Sequence, residues 1–369
     1  MIGMLFYLTD TLIVDRSDPH FHAIRKAVWY ITISVLESKH LLRGDYQVLK
    51  YMRDEFRGDK EIYPVFHQLV TKYSTYTVPD DICRYVEVVY SGFAEYEKDG
   101  HQIKQIEYSY FDDTQKVQAM TLVAEDLDDC ALFEYVLKWY IKQHHLPFNY
   151  NYDAQGGGGS RTEVAVLNCL NSGRMVTCIT DSDQRFEGHG LEPDSCAVEC
   201  GKLRKMKKKV YYYLMLPVLE LENLIPLNHF DALDWSHEIN KKDKEAFEKL
   251  CGNACSEKIL PYFDIKEGLK KTHIQQYGEG FADYASMCCS CNPEIMEGKS
   301  FEEYVDGLND KALIYPRLRK RPMRELAPLY RKEELEEPEL MVYQLDAWME
   351  IGSLLLDTLC ARNKEAITV

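Results

Sequence analysis

Strand-like and helix-like segments alternate along the middle of the chain, and this alternation constrains the fold more than any other feature. Between residues 119 and 223 the strand-like segments are AMTLVAE, LPFNYNYD, RMVTCITDSD and VYYYLMLPVLELEN. The helix-like segments are DCALFEYVLKWYIKQHH and RTEVAVLNCLNSG. Strands separated by helices at this spacing are typical of a parallel sheet in an α/β fold. We therefore predict a parallel-sheet core over residues 116–235.

Two regions of different pattern flank this core. Residues 1–115 begin with the strand pattern MLFYLTDTLIVD, and three stretches with helical spacing of apolar residues follow, before about residue 75. A strand, turn and strand are predicted over KQIEYSYFDD and KVQAMTLVAE, and residues 236–369 have helical patterns. The predicted fold class is α/β, with an amino-terminal strand-plus-helix region of unassigned role, the central core and a helical carboxyl-terminal region.

Composition limits the classes of function. With 369 residues the chain exceeds what one hydrophobic core usually organises. Its 60 acidic and 44 basic residues give a net charge of −16, which argues against a protein that coats nucleic acid through bulk positive charge. A nuclease stays open, because a bound divalent cation reverses the local sign of a carboxylate cluster.

The sequence has no pattern typical of a secreted or membrane protein. No stretch approaches the roughly 18 consecutive apolar residues that cross a bilayer, and the start MIGMLFYLTDTLIVDR lacks the basic leader of a signal peptide. We expect a cytoplasmic protein without a membrane partner, whose 12 cysteines are reduced. The spacings of Cys196, Cys200, Cys251, Cys255 and the cysteines of segment 288–291 also permit a zinc site, but buried free thiols are the preferred interpretation.

Carboxylates follow the predicted strands of the core. Glu125 ends the first strand segment, and Asp129 lies shortly after it. Asp181 and Asp183 follow another strand, and side chains two residues apart in an extended segment point to the same side. Paired carboxylates suit Mg²⁺ or Mn²⁺, and a glutamate on a neighbouring strand end can complete the site or act as a general base. The alternative is that these acids only cap helices and solvate loops.

The order of Glu125, a glycine turn and the Asp181-Ser182-Asp183 segment resembles the TOPRIM domain, an α/β module of topoisomerases, primases and a class of metal-dependent nucleases. The resemblance covers roughly residues 118–226. It implies that Glu125 is the general base or acid and that Asp181 and Asp183 bind the metal ion, with Asp129 as a further candidate ligand.

The segment LPVLELENLIP narrows the resemblance to nucleases similar to the overcoming-lysogenization-defect proteins of bacterial anti-phage defence. Its Glu220 and Glu222 follow the last strand, as a supplementary acid does in that family. The resemblance implies a metal-dependent endonuclease that cleaves DNA or RNA as a defence effector, beside an ATPase sensor subunit. Two other functions stay open, namely a non-catalytic interaction or scaffold subunit with an acidic surface, and a primase-like nucleotidyl transferase.

A run of glycines precedes a predicted helix, and its members are Gly156, Gly157, Gly158 and Gly159. Such a turn can present backbone N–H groups to a phosphate. The Lys-Ser/Thr pair of a nucleotide-binding P-loop is absent, so we do not expect ATP binding. The letters GGGGS also match an engineered linker, but the strand and helix patterns on either side favour a native turn.

Two basic runs contrast with the acidic composition. The first covers residues 202–209 and leads into the last strand of the core, and the second covers residues 317–324. Concentrated positive charge can contact a phosphate backbone, although a solvated loop or a surface for an acidic partner is an equal alternative. The first run is the preferred nucleic-acid contact, through Lys202, Arg204, Lys205, Lys207, Lys208 and Lys209.

A second nuclease interpretation depends on the amino-terminal strand. The segment FYLTDTLIVD resembles the opening strand of PIN-type nucleases, which ends in an aspartate. In that interpretation Asp10 would act with Glu37 and Asp45. The acids of the central core are the preferred site.

Overall fold

The computed structural model describes residues 4–75 and 81–362, which form an α/β fold with two parallel-strand sheets. The strands are β1 Leu5–Leu8, β2 Leu41–Gly44, β3 Arg84–Val89, β4 Ala94–Lys98, β5 His101–Glu107, β6 Thr121–Ala124, β7 Phe148–Tyr150, β8 Asp153–Gly156, β9 Val176–Thr180, β10 Tyr211–Met215, β11 Leu269–Lys270, β12 Leu313–Tyr315 and β13 Cys360–Arg362. The helices are α1 Phe21–Leu36, α2 Tyr46–Glu55, α3 Ile62–Thr71, α4 Asp129–Gln143, α5 Thr162–Asn171, α6 Cys196–Lys202, α7 Glu238–Cys251, α8 Ser256–Ile259, α9 Lys271–Tyr277, α10 Glu279–Cys291, α11 Phe301–Gly307, α12 Pro322–Lys332 and α13 Val342–Leu359.

The central sheet has the order β10-β9-β6-β8, and all of its strand pairs are parallel. The strands β6 and β9 are buried along their whole length, in keeping with their sequences TLVA and VTCIT, which lack charged residues. Helices α4, α5 and α6 connect successive strands, because parallel neighbours need a crossover. The predicted α/β core is therefore confirmed.

The amino-terminal region contains a second sheet of order β2-β1-β3-β5-β4. Its strands are parallel except β4, which pairs antiparallel with β5 at one edge. The prediction of one strand followed by helices was thus incomplete. The predicted strand, turn and strand near residue 112 is not a hairpin, since β5 belongs to this sheet and β6 to the central one.

The carboxyl-terminal region is mainly helical, as predicted, with two small antiparallel additions. One is the pair β11-β12, and the other is β13, which pairs with β7 of the central region. One apolar core cluster includes Phe6 of β1, Leu122 of β6 and Trp348 of α13, so the predicted regions 1–115, 116–235 and 236–369 pack on shared residues. Among the described residues, every helix is too short or too polar to cross a membrane.

Candidate metal centre at the carboxyl edge of the central sheet

Acids from three neighbouring strands meet at the carboxyl edge of the central sheet. Glu125 follows β6, Asp181 follows β9, and the Glu220–Glu222 segment follows β10. Because these strands are parallel and adjacent in the order β10-β9-β6, their carboxyl ends lie side by side. The sequence prediction that these acids converge is consistent with this topology, and ligands of open α/β sheets bind at this edge.

Backbone hydrogen bonds connect the three strand ends. The Asp181 N–H donates to Glu125 Oε1 at 3.2 Å. The Leu221 N–H donates to Asp181 Oδ1 at 2.8 Å. The Glu220 N–H donates to Asn223 Oδ1 at 2.9 Å, and the Asn223 amide in turn bonds two backbone carbonyl groups. The carboxylates of Glu125 and Asp181 are thus held by backbone N–H groups of the neighbouring strand ends.

Lys266 supplies the positive charge at the centre of the cluster. Its Nζ lies 3.0 Å from Glu220 Oε2 and 3.1 Å from Glu222 Oε2. Burial alone would lower the pKa of Lys266, but the charges of Glu220, Glu222 and Asp181 raise it above its usual range. Sequence reasoning missed Lys266, because it lies in the carboxyl-terminal region, where helical patterns were predicted, and has no strand-end pattern.

Glu220, Asp181 and Glu125 have pKa values above those of free carboxyls. Burial and the Glu222 carboxylate raise the pKa of Glu220 to about 8. Burial, followed by the Glu125 and Glu222 charges, raises the pKa of Asp181 well above its usual range. Burial and the Asp183 charge likewise raise the pKa of Glu125. The shared cause is that several carboxyls are withdrawn from water beside one another.

Asp129 and Asp183 lie at the margin of this cluster. Asp129 begins α4 and accepts a hydrogen bond from the Asp126 N–H at 2.8 Å, and burial raises its pKa to about 7. Asp183 is exposed and has a φ of 58°, so the chain leaves the extended conformation there. The expectation that an extended segment aligns Asp181 with Asp183 is therefore wrong, although both charges act on Glu125 or its neighbours.

The cluster as it stands is paired with a lysine and not arranged around a metal ion. Over residues 4–75 and 81–362, no three His, Cys, Asp or Glu side chains are positioned to hold a metal. The chemistry of the donors nevertheless fits Mg²⁺ or Mn²⁺, because they are hard carboxylate oxygens. Glu220 Oε1 is buried without a hydrogen-bond partner among the described residues, which leaves one acceptor available.

Three N–H groups of the glycine turn form hydrogen bonds within the fold. The Gly157 N–H donates to Ala124 O at 2.7 Å, and the N–H groups of Gly158 and Gly159 donate to Glu125 O at 3.0 and 3.1 Å. These three donors are therefore occupied by the end of β6, and the expectation that they face a phosphate is wrong for them. The turn positions the backbone of Glu125.

The basic run at residues 202–209, preferred from sequence as the nucleic-acid contact, does not lie beside the acidic cluster. Residues 202–209 precede β10 and so lie at its amino end, whereas the acids follow its carboxyl end. Lys202 pairs with Glu199 at 2.5 Å, and Lys209 Nζ donates to Leu170 O at 2.7 Å. Its role as a nucleic-acid contact stays a prediction, without the expected proximity to the acidic cluster.

The second basic run is close to the cluster. The N–H groups of Leu318 and Arg319 donate to Ile265 O at 3.0 and 3.1 Å. Ile265 immediately precedes Lys266. The structure thus brings residues of the 317–324 run, which the sequence analysis did not prefer, next to the segment that supplies the central lysine.

The remaining sequence candidates have structural roles. Eleven cysteines are free; five of them are buried, five are half-buried and Cys83 is exposed, so the expectation of buried thiols holds for only part of this set. Cys196 Sγ lies 4.0 Å from Cys200 Sγ. In the amino-terminal sheet the Asp10 N–H donates to Asp45 Oδ2 at 2.9 Å, whereas Glu37 follows α1 at the opposite end of that sheet. The full set of acids in the PIN-type interpretation therefore does not assemble.

Comparison with protein-family models, with curated proteins and with solved structures finds no match to this chain.

Proposed function

We propose that the protein is a metal-dependent nuclease of the TOPRIM type, which hydrolyses phosphodiester bonds of DNA or RNA at the acidic cluster. One observation supports this most strongly: Glu125, Asp181, Glu220 and Glu222 converge at the carboxyl edge of a parallel sheet. Burying several carboxyls together is costly unless a cation balances them. A site selected only for stability would have little reason to keep this arrangement.

Each acid has a role suited to its surroundings. Mg²⁺ or Mn²⁺ would be held by Asp181, Asp183, Glu220 and Glu222, with Asp129. Such an ion supplies charge neutralisation of the phosphate and activation of water. Glu125 would accept a proton, because burial and the Asp183 charge raise its pKa above that of an ordinary carboxyl. In the absence of the ion, Lys266 would balance the single negative charge that the Glu220–Glu222 pair carries while Glu220 holds its proton.

Cleavage assays test this assignment. Single- and double-stranded DNA and RNA are incubated with Mg²⁺ or Mn²⁺ and the wild-type protein, Glu125→Gln or Asp183→Asn. Loss of a general base or a ligand should lower the rate by about a hundredfold or more. Asp194→Asn, an exposed acid outside the cluster, serves as the matched control and should cut normally. Equal cleavage by all four proteins would overturn the site assignment.

A second candidate is a non-catalytic scaffold, and Lys266 is the observation that favours it. If the lysine permanently neutralises Glu220 and Glu222, no metal ion is required. Calorimetric titration with Mn²⁺ separates the two candidates. The nuclease proposal expects binding that disappears in the double variant Asp181→Asn/Asp183→Asn, while the scaffold expects no binding or binding that the variant leaves unchanged.

The cellular role is part of the same proposal. The resemblance to anti-phage nucleases supports a defence effector that acts with an ATPase sensor subunit in the cytoplasm. Synthesis of primers from nucleoside triphosphates would instead select the primase-like alternative. The cleavage assay and the primer-synthesis assay both use the full chain.

A further inference from the structure

We propose that single-stranded nucleic acid binds across a basic and aromatic rim on one side of the acidic cluster. This inference rests on the proposed nuclease function, because it names the surface that would deliver the substrate. The rim is defined by Arg185, Lys270, His273, Tyr277, Arg317 and Lys320.

A tight turn connects the rim to the cluster. The Glu267 N–H donates to Asp264 Oδ1 at 2.7 Å, and the Gly268 N–H donates to Asp264 O at 2.8 Å. Lys266, which pairs with the glutamates of the cluster, lies within this turn. The strand β11 follows directly and pairs with β12, which leads into the 317–324 run. The basic side chains on these segments are therefore neighbours of the site.

Arg185 connects the rim to the aspartate segment. It lies two positions after Asp183 in the chain, and its guanidinium contacts Asp264 Oδ2 at 2.5 Å. The charges of Asp264, Tyr277 and Glu220 raise the pKa of Arg185 despite its burial. Arg185 thus connects the aspartate segment to the Asp264 turn through an ion pair.

Three further cations surround Glu267. Lys270 Nζ donates to Glu267 Oε2 at 2.9 Å, and this bond, together with the charges of Arg317 and Lys320, lowers the pKa of Glu267. Among the described residues Arg317 and Lys320 form no ion pair within 4.0 Å, although Asp243 lies near Arg317. Arg317 and Lys320 thus act on Glu267, and Arg317 also acts on Asp243, from beyond ion-pair distance. Cations held in this way can contact a phosphate.

Aromatic rings continue the rim. The Tyr277 ring centroid lies 5.1 Å from that of His189 and 5.7 Å from that of His273. His273 Nδ1 has no hydrogen-bond partner within the described part of the chain. Tyr277 and His273 are both half-buried, and both rings also contact Phe281. Positive charge with adjacent aromatic rings is the combination that binds single strands, through phosphate contacts and base stacking.

The experiment measures binding and not cleavage, so that it is independent of catalysis. Fluorescence anisotropy with a labelled single-stranded RNA, and separately with DNA of the same sequence, is recorded in EDTA over a range of salt concentrations. The test variant is Arg317→Ala/Lys320→Ala, and the matched control is Arg57→Ala/Lys60→Ala, which changes two exposed cations that follow α2 in the amino-terminal region. Both remove two positive charges.

The rim proposal expects the test variant to bind about tenfold more weakly, with a salt slope reduced by about 1.4, since each single-strand phosphate contact contributes about 0.7. The control should change neither value. Tyr277→Leu should weaken binding to oligonucleotides but leave binding to inorganic polyphosphate unchanged, because only the former can stack.

Equal loss in the control, or no loss in the test variant, would overturn the proposal. If Tyr277→Leu weakens polyphosphate binding as much as oligonucleotide binding, the aromatic part is wrong. A protein that binds through the rim but cuts nothing with Mg²⁺ or Mn²⁺ would contradict the proposed nuclease while keeping the surface. The two failures are therefore distinguishable.

Discussion

Glu220 is the residue at which burial and charge are most directly opposed. Only 7% of its surface is exposed, one carboxylate oxygen pairs with Lys266, and the other has no partner among the described residues. A buried acceptor without a partner costs stability, typically about 1–3 kcal/mol. Such a cost is tolerated most readily where a proton or a cation can occupy the acceptor.

The raised pKa of Glu220 makes the stability of the protein depend on pH. The folded state holds the Glu220 proton up to a pH of about 8, whereas the ordinary carboxyl releases it near pH 4.5. The folded state therefore binds more protons between these values, and stability falls as pH rises through the window, with a slope of at most about 1.4 kcal/mol per pH unit from this group.

Glu220→Gln should remove that contribution. We expect the free energy of unfolding, measured by urea denaturation from pH 5 to pH 8, to fall less steeply with pH than in the wild type. Glu294→Gln is the control, because the bond from Lys249 lowers the pKa of Glu294 below the window. A slope equal to that of the wild type in Glu220→Gln would show that Glu220 does not titrate there.

The acids of the cluster could be predicted from sequence, and Lys266 could not. Glu125 and Asp181 are local signals, since each ends an apolar strand and parallel strand ends share an edge. Lys266 reaches the same place only through the packing of a distant segment, which no periodicity describes. The conformation of Asp183 was also inaccessible, because a positive φ in a non-glycine residue depends on its surroundings.

At the scale of elements, the glycine turn shows how local chemistry determines the geometry of the site. A Cβ on Gly157 would lie 2.2 Å from Thr162 Oγ1 and 2.6 Å from its Cβ. Thr162 begins α5 and is fully buried, so it has little room to move. The absence of a side chain at Gly157 therefore lets α5 pack against the end of β6 and hold Glu125.

Gly157→Ala should consequently destabilise the protein more than Gly159→Ala. We expect a loss of about 1–3 kcal/mol from the steric conflict at Gly157. Gly159 has a φ of 65°, but a Cβ added there would have nothing within 4 Å, so its cost should be limited to backbone strain of about 1 kcal/mol. Thermal denaturation measures both. Gly157→Ala/Thr162→Ser should recover part of the loss, and an equal effect of the two single variants would contradict this account.

Sequence patterns predicted the central elements better than the amino-terminal ones. The strands β6 and β9 are short uncharged segments rich in β-branched residues, and a clear helical pattern follows β6 and precedes β9. The strand β2 is only LLRG and contains a buried arginine, and the edge strand β4 is mostly exposed. Neither has the alternation or the apolar run that identifies a strand without tertiary context.

At the scale of the whole molecule, an ion pair with a buried aspartate joins the last helix to the amino-terminal sheet. Asp357 of α13 lies 2.7 Å from the Arg84 guanidinium at the start of β3, and it also accepts the Cys83 N–H at 2.8 Å. The Asp357 side chain is fully buried, and burial raises its pKa to about 6 in spite of these partners. Together with the shared apolar core, this pair makes the amino-terminal sheet depend on the last helix.

Asp357→Ala should therefore destabilise the whole chain and not only α13. Removing one member of a buried pair leaves Arg84 uncompensated, and the expected loss is about 3–5 kcal/mol. Urea unfolding monitored by far-ultraviolet circular dichroism gives the overall loss, and hydrogen exchange of peptides from α1 and α13 gives the local losses. Because one core connects them, both helices should lose protection by similar amounts.

Glu350→Ala, an exposed change on α13, should stay within about 0.5 kcal/mol of wild type. Loss of protection confined to α13 would mean that the regions unfold independently, and the amino-terminal sheet would then be a separate unit carrying no support for the acidic cluster.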